Sequence, residues 1–264
     1  MYLNQIIESI NELAPSMYSV SGETYGLEFG RKTNISSIII KRCQVGVNPT
    51  LNCIEAACRC KANLIITHHS LMSPGFEKIR EIRFEKYRLL TKNNVWIYTI
   101  GDRITGAREG ISQSLCQALG LEPTKDFNVE SFNGTYVPIG RIHESQGSHS
   151  LEDLIISIKE NLNVNHVRFN GDLSSRVKKI LVIGGEFKNI SWFQHLLDEG
   201  VDAIITGDLD PTIKCICSDL SISFLEVSHY ESDIIGMSKL RFMLSMKHPN
   251  TDFELFDEPI FTYH

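Results

Sequence analysis

The chain has 264 residues, 42% of them hydrophobic and 22% charged, as in an ordinary globular protein with one large core or two smaller ones. A formal net charge of −6 makes a nucleic-acid partner unlikely, since phosphate binding needs a basic surface. There is no apolar run of the roughly 20 residues that a membrane span needs and no basic segment followed by an apolar core at the start. These features argue against secretion and a membrane partner, and the odd count of seven cysteines, which suits reduced thiols, predicts a cytoplasmic protein.

The first part of the chain alternates between helix and strand patterns. Apolar residues recur at helical spacing over Leu3–Leu13. Apolar β-branched residues predict strands over Ile35–Lys41 and Leu64–Thr67, with a helix over Leu51–Lys61 between them. Three more elements are predicted here: a helix over Phe84–Leu90, a strand over Val95–Ile100 and a helix over Ile111–Leu119 that ends at Gly120.

The second part repeats this alternation after a segment rich in β-formers and turn residues, Phe127–Gly140, which predicts short strands. The further predicted elements are a helix over Leu151–Leu162 with Ser150 as its N-cap, a strand over Lys179–Ile183, a helix over Ile190–Glu199 that ends at Gly200, and strands over Ala203–Thr206 and Ser223–Val227.

A strand–helix–strand unit occurs in both parts, and the letters LIITHH and AIITGD occupy equivalent places, with Thr67 matched to Thr206. Such units imply parallel strands joined by crossover helices. We therefore predict an α/β fold of two similar domains with mainly parallel sheets, related by an internal repeat. The first half, 1–124, has the His-His strand end, and the second, 125–264, has Thr-Gly-Asp and a later His and Asp.

The strand Leu64–Thr67 ends in two adjacent histidines, His68 and His69. Side chains alternate faces along a strand, so the two rings converge only if the chain turns there, and Ser70–Gly75 has the composition of a loop. Two neutral imidazoles at a strand end can bind a divalent metal. A polar strand terminus with one hydrogen-bonded histidine explains the residues equally well.

Two other strand ends carry polar residues, Gly101-Asp102 and His229 with Asp233. Because ligands of open α/β sheets gather beyond the carboxyl ends of the strands, these side chains and His68-His69 form one candidate site. Imidazoles and carboxylates together suit a divalent ion. Taken alone, His229 is more typical of a structural histidine and Asp233 of a helix start.

Other patterns give weaker indications of chemistry. The pairs Cys58/Cys60 and Cys215/Cys217 lack the two-residue spacer of structural zinc sites, and the seven cysteines are interpreted as reduced thiols. Gly184-Gly185 follows a strand outside any dinucleotide or P-loop motif and is interpreted as a turn. Ser70 beside His69 is a poor nucleophile–base pair, because adjacent strand residues rarely meet.

Five segments together resemble the GTP cyclohydrolase I type 2 homologue family, also called the NIF-three-like metal-binding proteins. The strongest is ANLIITHHSLM, at residues 62–72. The others are VDAIITGD at 201–208, SHYESD at 228–233, YGLEFG at 25–30 and REGISQSLCQALGL at 108–121. The resemblance implies two α/β domains, a ring-shaped homohexamer built as a trimer of dimers, and a pair of divalent metals.

The family's metal ligands transfer only in part. His68, His69 and His229 match directly, and Asp233 stands where the family has a glutamate. An expected histidine falls on Gly101 and an expected aspartate on Thr105, neither of which offers a good side-chain ligand. The early Asp-Asn-x-Gly-Leu pattern reads Glu-Thr-Tyr-Gly-Leu at residues 23–27.

The resemblance leaves two functions open. The first is a metal-dependent hydrolase of a nucleotide or pterin-like substrate, with one or two ions of zinc, iron, manganese or magnesium held by His68, His69, His229 and Asp233. In this function Asp102 either replaces the missing ligand or transfers protons. Glu231 is the other candidate for proton transfer, although it is more typical of a solvated surface charge. The alternative is a ring-forming binding or scaffold protein with a vestigial metal site.

Overall fold

A computed structural model describes residues 1–22, 26–72, 75 and 78–259 of the chain. It contains two compact units: Met1–Ile104 with Met237–Glu258, and Thr105–Gly236 with Pro259. Each unit has its own sheet with helices around it, which confirms the prediction of two α/β domains. The division into repeated halves at residue 124 stays a prediction. Residues 23–25, in the early family pattern, lie outside the described residues.

The first unit is built on a five-stranded sheet. Three strands and the C-terminal strand run parallel, and the edge strand Gly26–Phe29 is antiparallel. In chain order its elements are α1 (Leu3–Leu13), β1 (Gly26–Phe29), β2 (Arg42–Gly46), α2 (Leu51–Arg59), β3 (Leu64–Thr67), α3 (Arg80–Asn93), β4 (Trp96–Thr99) and β11 (Asp252–Phe256), and the sheet order is β1-β4-β3-β2-β11.

The strand β3 is central in this sheet and all four of its residues are buried, which explains its unbroken apolar sequence. Residues from α2, β3, α3 and β4 form one continuous core cluster, which includes Ile54, Ile65, Leu90 and Ile97. The side chain of Thr50 accepts a hydrogen bond from the backbone N–H of Cys53 and so caps α2. The strand end at His68 therefore follows directly from the packed core of this unit.

The predicted strand over Ile35–Lys41 is wrong. Residues Ile35–Ser37 form a 3-10 turn after Asn34, and the strand is Arg42–Gly46. The isoleucine run precedes the strand: Ile40 is buried, but Ile39 is 54% exposed and makes only an isolated bridge to Tyr2. The true strand contains buried Gln44, whose amide donates to the carbonyl of Cys53. A satisfied polar side chain thus concealed a core strand from pattern analysis.

The second unit has a mixed six-stranded sheet. Its elements are α4 (Ile111–Ala118), β5 (Lys125–Glu130), β6 (Tyr136–Ser150), α5 (Leu151–Leu162), β7 (Arg168–Asn170), β8 (Arg176–Phe187), α6 (Ser191–Glu199), β9 (Ala203–Leu209), α7 (Pro211–Asp219), β10 (Ser223–Glu226) and the start of α8 (His229–Lys247). The sheet order is β5-β6-β8-β9-β10-β7. Only β8, β9 and β10 are parallel, whereas β5, β6 and β7 pair antiparallel.

The predicted helix ends of this unit are confirmed. Ser150 and Asp153 form a reciprocal capping box at the start of α5, and Gly200 ends α6 in the left-handed conformation. The interpretation of Gly184-Gly185 as a turn is wrong. Both glycines lie inside β8, where the register to β9 shifts between Ile183 and Glu186. This irregularity is a β-bulge that the apolar pattern did not reveal.

Candidate metal centre

Beyond β3 the main chain stays hydrogen-bonded to both neighbouring strand ends. The N–H groups of His68 and His69 donate to the carbonyls of Gly46 and Val47, at 3.2 and 3.0 Å. On the other side, the N–H of Gly101 donates to the carbonyl of His68 at 3.0 Å. The main chain at the two histidines is therefore fixed by hydrogen bonds to the neighbouring strand ends on both sides.

The two imidazole rings lie side by side, with centroids 4.2 Å apart and planes inclined by 42°. A regular strand would point them to opposite faces. The turn that brings them together is held by the Thr67 hydroxyl, which donates to the carbonyl of His69 at 2.8 Å. The side chain of Thr67 is fully buried, so this bond lies beneath the site.

His68 is held in one tautomer. Its Nδ1 lies 3.1 Å from the carbonyl oxygen of Gly101, and because a carbonyl only accepts, Nδ1 carries the proton. In the neutral ring the lone pair is then on Nε2, the form in which histidine binds metals. His68 is only 4% exposed. Gly101 lacks the expected ligand side chain but orients His68 through its backbone, a role that sequence analysis missed.

The segment after His69 is tied to a carboxylate that sequence analysis also missed. Glu28 on β1 accepts from the Ser70 hydroxyl at 2.7 Å, the Leu71 N–H at 2.5 Å and the Thr99 hydroxyl at 2.9 Å. The one available signal was an acidic residue inside the apolar strand Gly26–Phe29. Glu28 thus fixes the start of the loop, and Ser70 is occupied by this bond.

Asp102 serves a neighbouring loop. Its Oδ2 accepts from the N–H groups of Val20 and Ser21 and from the Ser21 hydroxyl, at 2.9, 2.7 and 2.7 Å. Its Oδ1 is buried and has no hydrogen-bond partner among the described residues. One carboxylate oxygen is therefore committed to structure, which leaves only Oδ1 for any ligand role.

In the second unit, His229 and Asp233 occupy successive turns at the start of α8. Nε2 of His229 lies 3.3 Å from Oδ2 of Asp233, and its Nδ1 lies 3.4 Å from Oδ2 of Asp208. Burial opposes the charged ring, but the two carboxylates outweigh it and raise the pKa of His229 to about 10. Asp233 is fully buried. With a pKa of about 10 the ring carries a proton on each nitrogen at neutral pH, so a cation that binds at Nε2 must displace the proton there.

Asp208, in the Thr-Gly-Asp segment, is itself held in place. Its Oδ1 lies 3.3 Å from the guanidinium of Arg168, which also contacts the buried carboxylate of Glu226 at 3.3 Å. Glu226 in turn accepts from the N–H of Leu209 at 2.8 Å and pairs with Lys214 at 2.9 Å. A carboxylate behind the second nitrogen of a histidine is the usual way to orient a metal-ligating imidazole.

The start of α8 fits closely against β9 because residue 207 is glycine. A Cβ there would meet the Gly185 carbonyl oxygen at 2.5 Å, the Ser232 hydroxyl at 2.7 Å and Cα of His229 at 2.8 Å. The hydroxyl of Ser232 also accepts from the N–H of Gly185 at 2.8 Å. Backbone contact between a bulged strand and a helix therefore positions His229.

Two remaining predicted residues have ordinary surroundings. Thr105 is buried, and its carbonyl accepts from the N–H of Ser112 at 3.0 Å. Glu231 is half-buried rather than fully solvated.

The seven cysteines are free thiols, and burial raises the pKa of the Cys58 and Cys60 thiols. Among the described helices, none combines the length and apolarity that crossing a bilayer requires.

The sequence as a whole matches one family model, described as Duf34/NIF3 (NGG1p interacting factor 3), over residues 1–259. The chain belongs to the Duf34/NIF3 family. It is 23% identical over 255 residues to the "GTP cyclohydrolase 1 type 2 homolog" of Methanocaldococcus jannaschii, covering 97% of this chain and 98% of that one. It is 28% identical over 239 residues to the protein of the same name from Clostridium perfringens, covering 88% and 87%.

The fold is also that of solved Duf34/NIF3 structures. A Bacillus cereus protein related to NIF3 superimposes with a TM-score of 0.85 at 16% identity, covering 100% of this chain and 99% of the other. At this identity the likeness concerns the fold alone. The resemblance inferred from the five sequence segments is thereby confirmed at the level of family and architecture.

Proposed function

We propose that this Duf34/NIF3 protein binds a divalent cation through His68, His69, His229 and Asp233, and hydrolyses a nucleotide or pterin-like substrate there. The observation that carries the proposal is the hydrogen bonding of two of these histidines, His68 and His229. His68 gives its Nδ1 proton to a backbone carbonyl, and His229 has a carboxylate behind Nδ1. Both arrangements are those of metal-ligating imidazoles.

The donor set suits some cations better than others. The proposed ligands include two imidazoles, those of His68 and His69, and the carboxylate of Asp233, a set that fits zinc, iron or manganese. Magnesium fits less well, because it prefers oxygen ligands and retained water. One cation is the occupancy this chain supports best, since Gly101 and Thr105 replace two ligands. Oδ1 of Asp102 is the additional ligand we assign.

A divalent cation held there would supply Lewis acidity and lower the pKa of water for hydrolysis. The protein's own part is to orient ligands. The Gly101 carbonyl sets the tautomer of His68, Asp208 orients His229, and Glu28 holds the chain after His69. We assign proton transfer to the half-buried Glu231, because Oδ2 of Asp102 already accepts three hydrogen bonds.

The remaining parts of the proposal rest on the family. We propose a homohexameric ring, a cytoplasmic location and a nucleotide-like small-molecule partner. The curated relatives are named as GTP cyclohydrolase 1 type 2 homologs, so GTP is the first substrate to test. The net charge of −6 argues against nucleic acid as the partner.

Metal content and solution mass test the metal proposal together. Protein purified without chelators should contain a divalent metal by elemental analysis, and His69→Ala should lose it while the solution mass is unchanged. His195→Ala is the matched control, because His195 makes an edge-to-face contact with Tyr136 in the second unit and is no proposed ligand. Full metal retention by His69→Ala would show that the ligand assignment is wrong.

A binding or scaffold protein is the second candidate, favoured by one observation. Gly101 has φ of +74°, a conformation built for glycine, where the family has a ligand histidine. Metal-loaded protein incubated with GTP separates the two functions. Turnover that His69→Ala abolishes supports the hydrolase, whereas an intact ring that retains metal but leaves GTP unchanged supports the scaffold.

A further inference from the structure

A second pair of histidines, neither of them assigned above, lies on β6 of the second unit. His143 and His149 are six positions apart, which in a regular strand would separate them by about 20 Å. Their ring centroids are only 5.5 Å apart, with planes inclined by 54°. The proximity is therefore a product of local structure.

A bulge in β6 produces this proximity. Glu144 pairs with Lys179 of β8 and His149 pairs with Val177, so residues 145–148 stand opposite the single residue 178. The hydroxyl of Ser145 donates to the carbonyl of Gly147 within the bulge, at 2.8 Å. The extra residues loop out, and the strand resumes with His149 close to His143. Bulges commonly re-aim side chains in this way.

The hydrogen bonding of the pair points to a ligand. Nδ1 of His143 lies 2.8 Å from the carbonyl oxygen of Glu122, so Nδ1 carries the proton and Nε2 carries the lone pair. The Nε2 atoms of both rings are buried and have no hydrogen-bond partner among the described residues. A buried ring nitrogen without a partner is costly, and two of them lie on these adjacent rings.

We propose that the Nε2 atoms of His143 and His149 bind a borderline divalent cation such as Zn²⁺. Two imidazoles on one tetrahedral ion, with bonds of about 2.0 to 2.1 Å, have centroids about 5.2 Å apart, close to the observed 5.5 Å. Burial, followed by the neighbouring His143, lowers the pKa of His149, which keeps that ring neutral as a ligand must be. Water completes the coordination shell.

Zinc stoichiometry in a variant without the first histidine pair tests this site. In His68→Ala/His69→Ala protein, addition of His143→Gln should remove one bound zinc per chain after dialysis. Glutamine can still donate to the Glu122 carbonyl, so the strand is kept while the imidazole is lost. His166→Ala, at an exposed histidine, is the control and should leave the zinc count unchanged.

Cobalt provides an independent readout of the same site. Co²⁺ added to His68→Ala/His69→Ala protein should give visible absorption of a four-coordinate ion, and His149→Gln should abolish that absorption. If adding both His143→Gln and His149→Gln to the His68→Ala/His69→Ala protein leaves as much zinc bound as before, the proposal is overturned. An unchanged zinc count after the addition of His143→Gln also overturns it, because the Nε2 atoms of His143 and His149 would then bind water and no metal. Because the first pair is absent throughout, these outcomes do not depend on the proposed hydrolase.

Discussion

The equivalent strand ends of the two units, LIITHH at the end of β3 and AIITGD in β9, present their polar groups by different means. At β3 the candidate ligands lie on the strand end itself: the Gly101 carbonyl accepts from the His68 ring, and the Thr67 hydroxyl donates to the main-chain carbonyl of His69. At β9 the strand end supplies Gly207, which admits a helix, and Asp208, which orients His229 on that helix. The same strand pattern thus ends in the imidazoles themselves in one unit and in a carboxylate that orients an imidazole in the other.

The largest expected effect is at the glycine that admits the helix. Gly207→Ala should lower the free energy of unfolding by about 1 to 3 kcal/mol, because its Cβ would overlap backbone and Ser232 atoms at 2.5 to 2.8 Å. Urea denaturation measures the change. Gly147→Ala is the control, since a Cβ there has nothing within 4 Å. Equal stability of the two variants would show that close approach at β9 does not matter.

Removing the supporting carboxylate should weaken the proposed metal site without unfolding the unit. Asp208→Asn leaves the shape intact but removes the charge behind Nδ1 of His229, so metal affinity should fall about 10- to 100-fold. Competition with a metal-binding dye measures this affinity. Asp198→Asn is the control, because the carboxylate of Asp198 accepts a hydrogen bond from Gln194 and from no other described residue. An unchanged metal affinity of Asp208→Asn would show that Asp208 does not orient His229 for metal binding.

Restoring a side chain at position 101 should cost stability. Gly101 has φ of +74°, and a side chain in the left-handed region costs about 1 to 2 kcal/mol. Both Gly101→Ala and Gly101→His should therefore shift the urea midpoint downward, so a histidine there does not simply rebuild the family's ligand. A Gly101→His variant as stable as the parent, with a second zinc, would contradict this expectation.

The two matched threonines should differ by the smallest amount. Thr67→Val removes a 2.8 Å bond to the His69 carbonyl and should cost about 1 kcal/mol. Thr206→Val removes only a 3.4 Å contact with the Gly185 carbonyl and should cost less. Paired urea titrations measure the difference. A larger loss in Thr206→Val would mean that the β9 end, and not the β3 end, depends on its threonine.

Elements with a clear local signal were predicted well. Helix α1 and strand β3 have the predicted bounds, and Ser150 and Gly200 cap their helices as expected. Failures came where tertiary contacts reversed a local pattern. Gln44 entered the core because Cys53 satisfied its amide, while apolar Ile39 stayed largely exposed. Glu28 and Asp208 acquired their roles through contacts that sequence spacing does not encode.

The sequence by itself indicated the family, the two α/β units and the candidate metal ligands, because apolar periodicity and the His-His strand end are local signals. Tertiary structure alone decided which nitrogen of His68 carries the proton, that Asp208 stands behind His229, and that a bulge brings His143 to His149. The reason is physical: tautomers and orientations depend on hydrogen-bond partners 20 or more residues away, whose positions are set only when the sheets assemble.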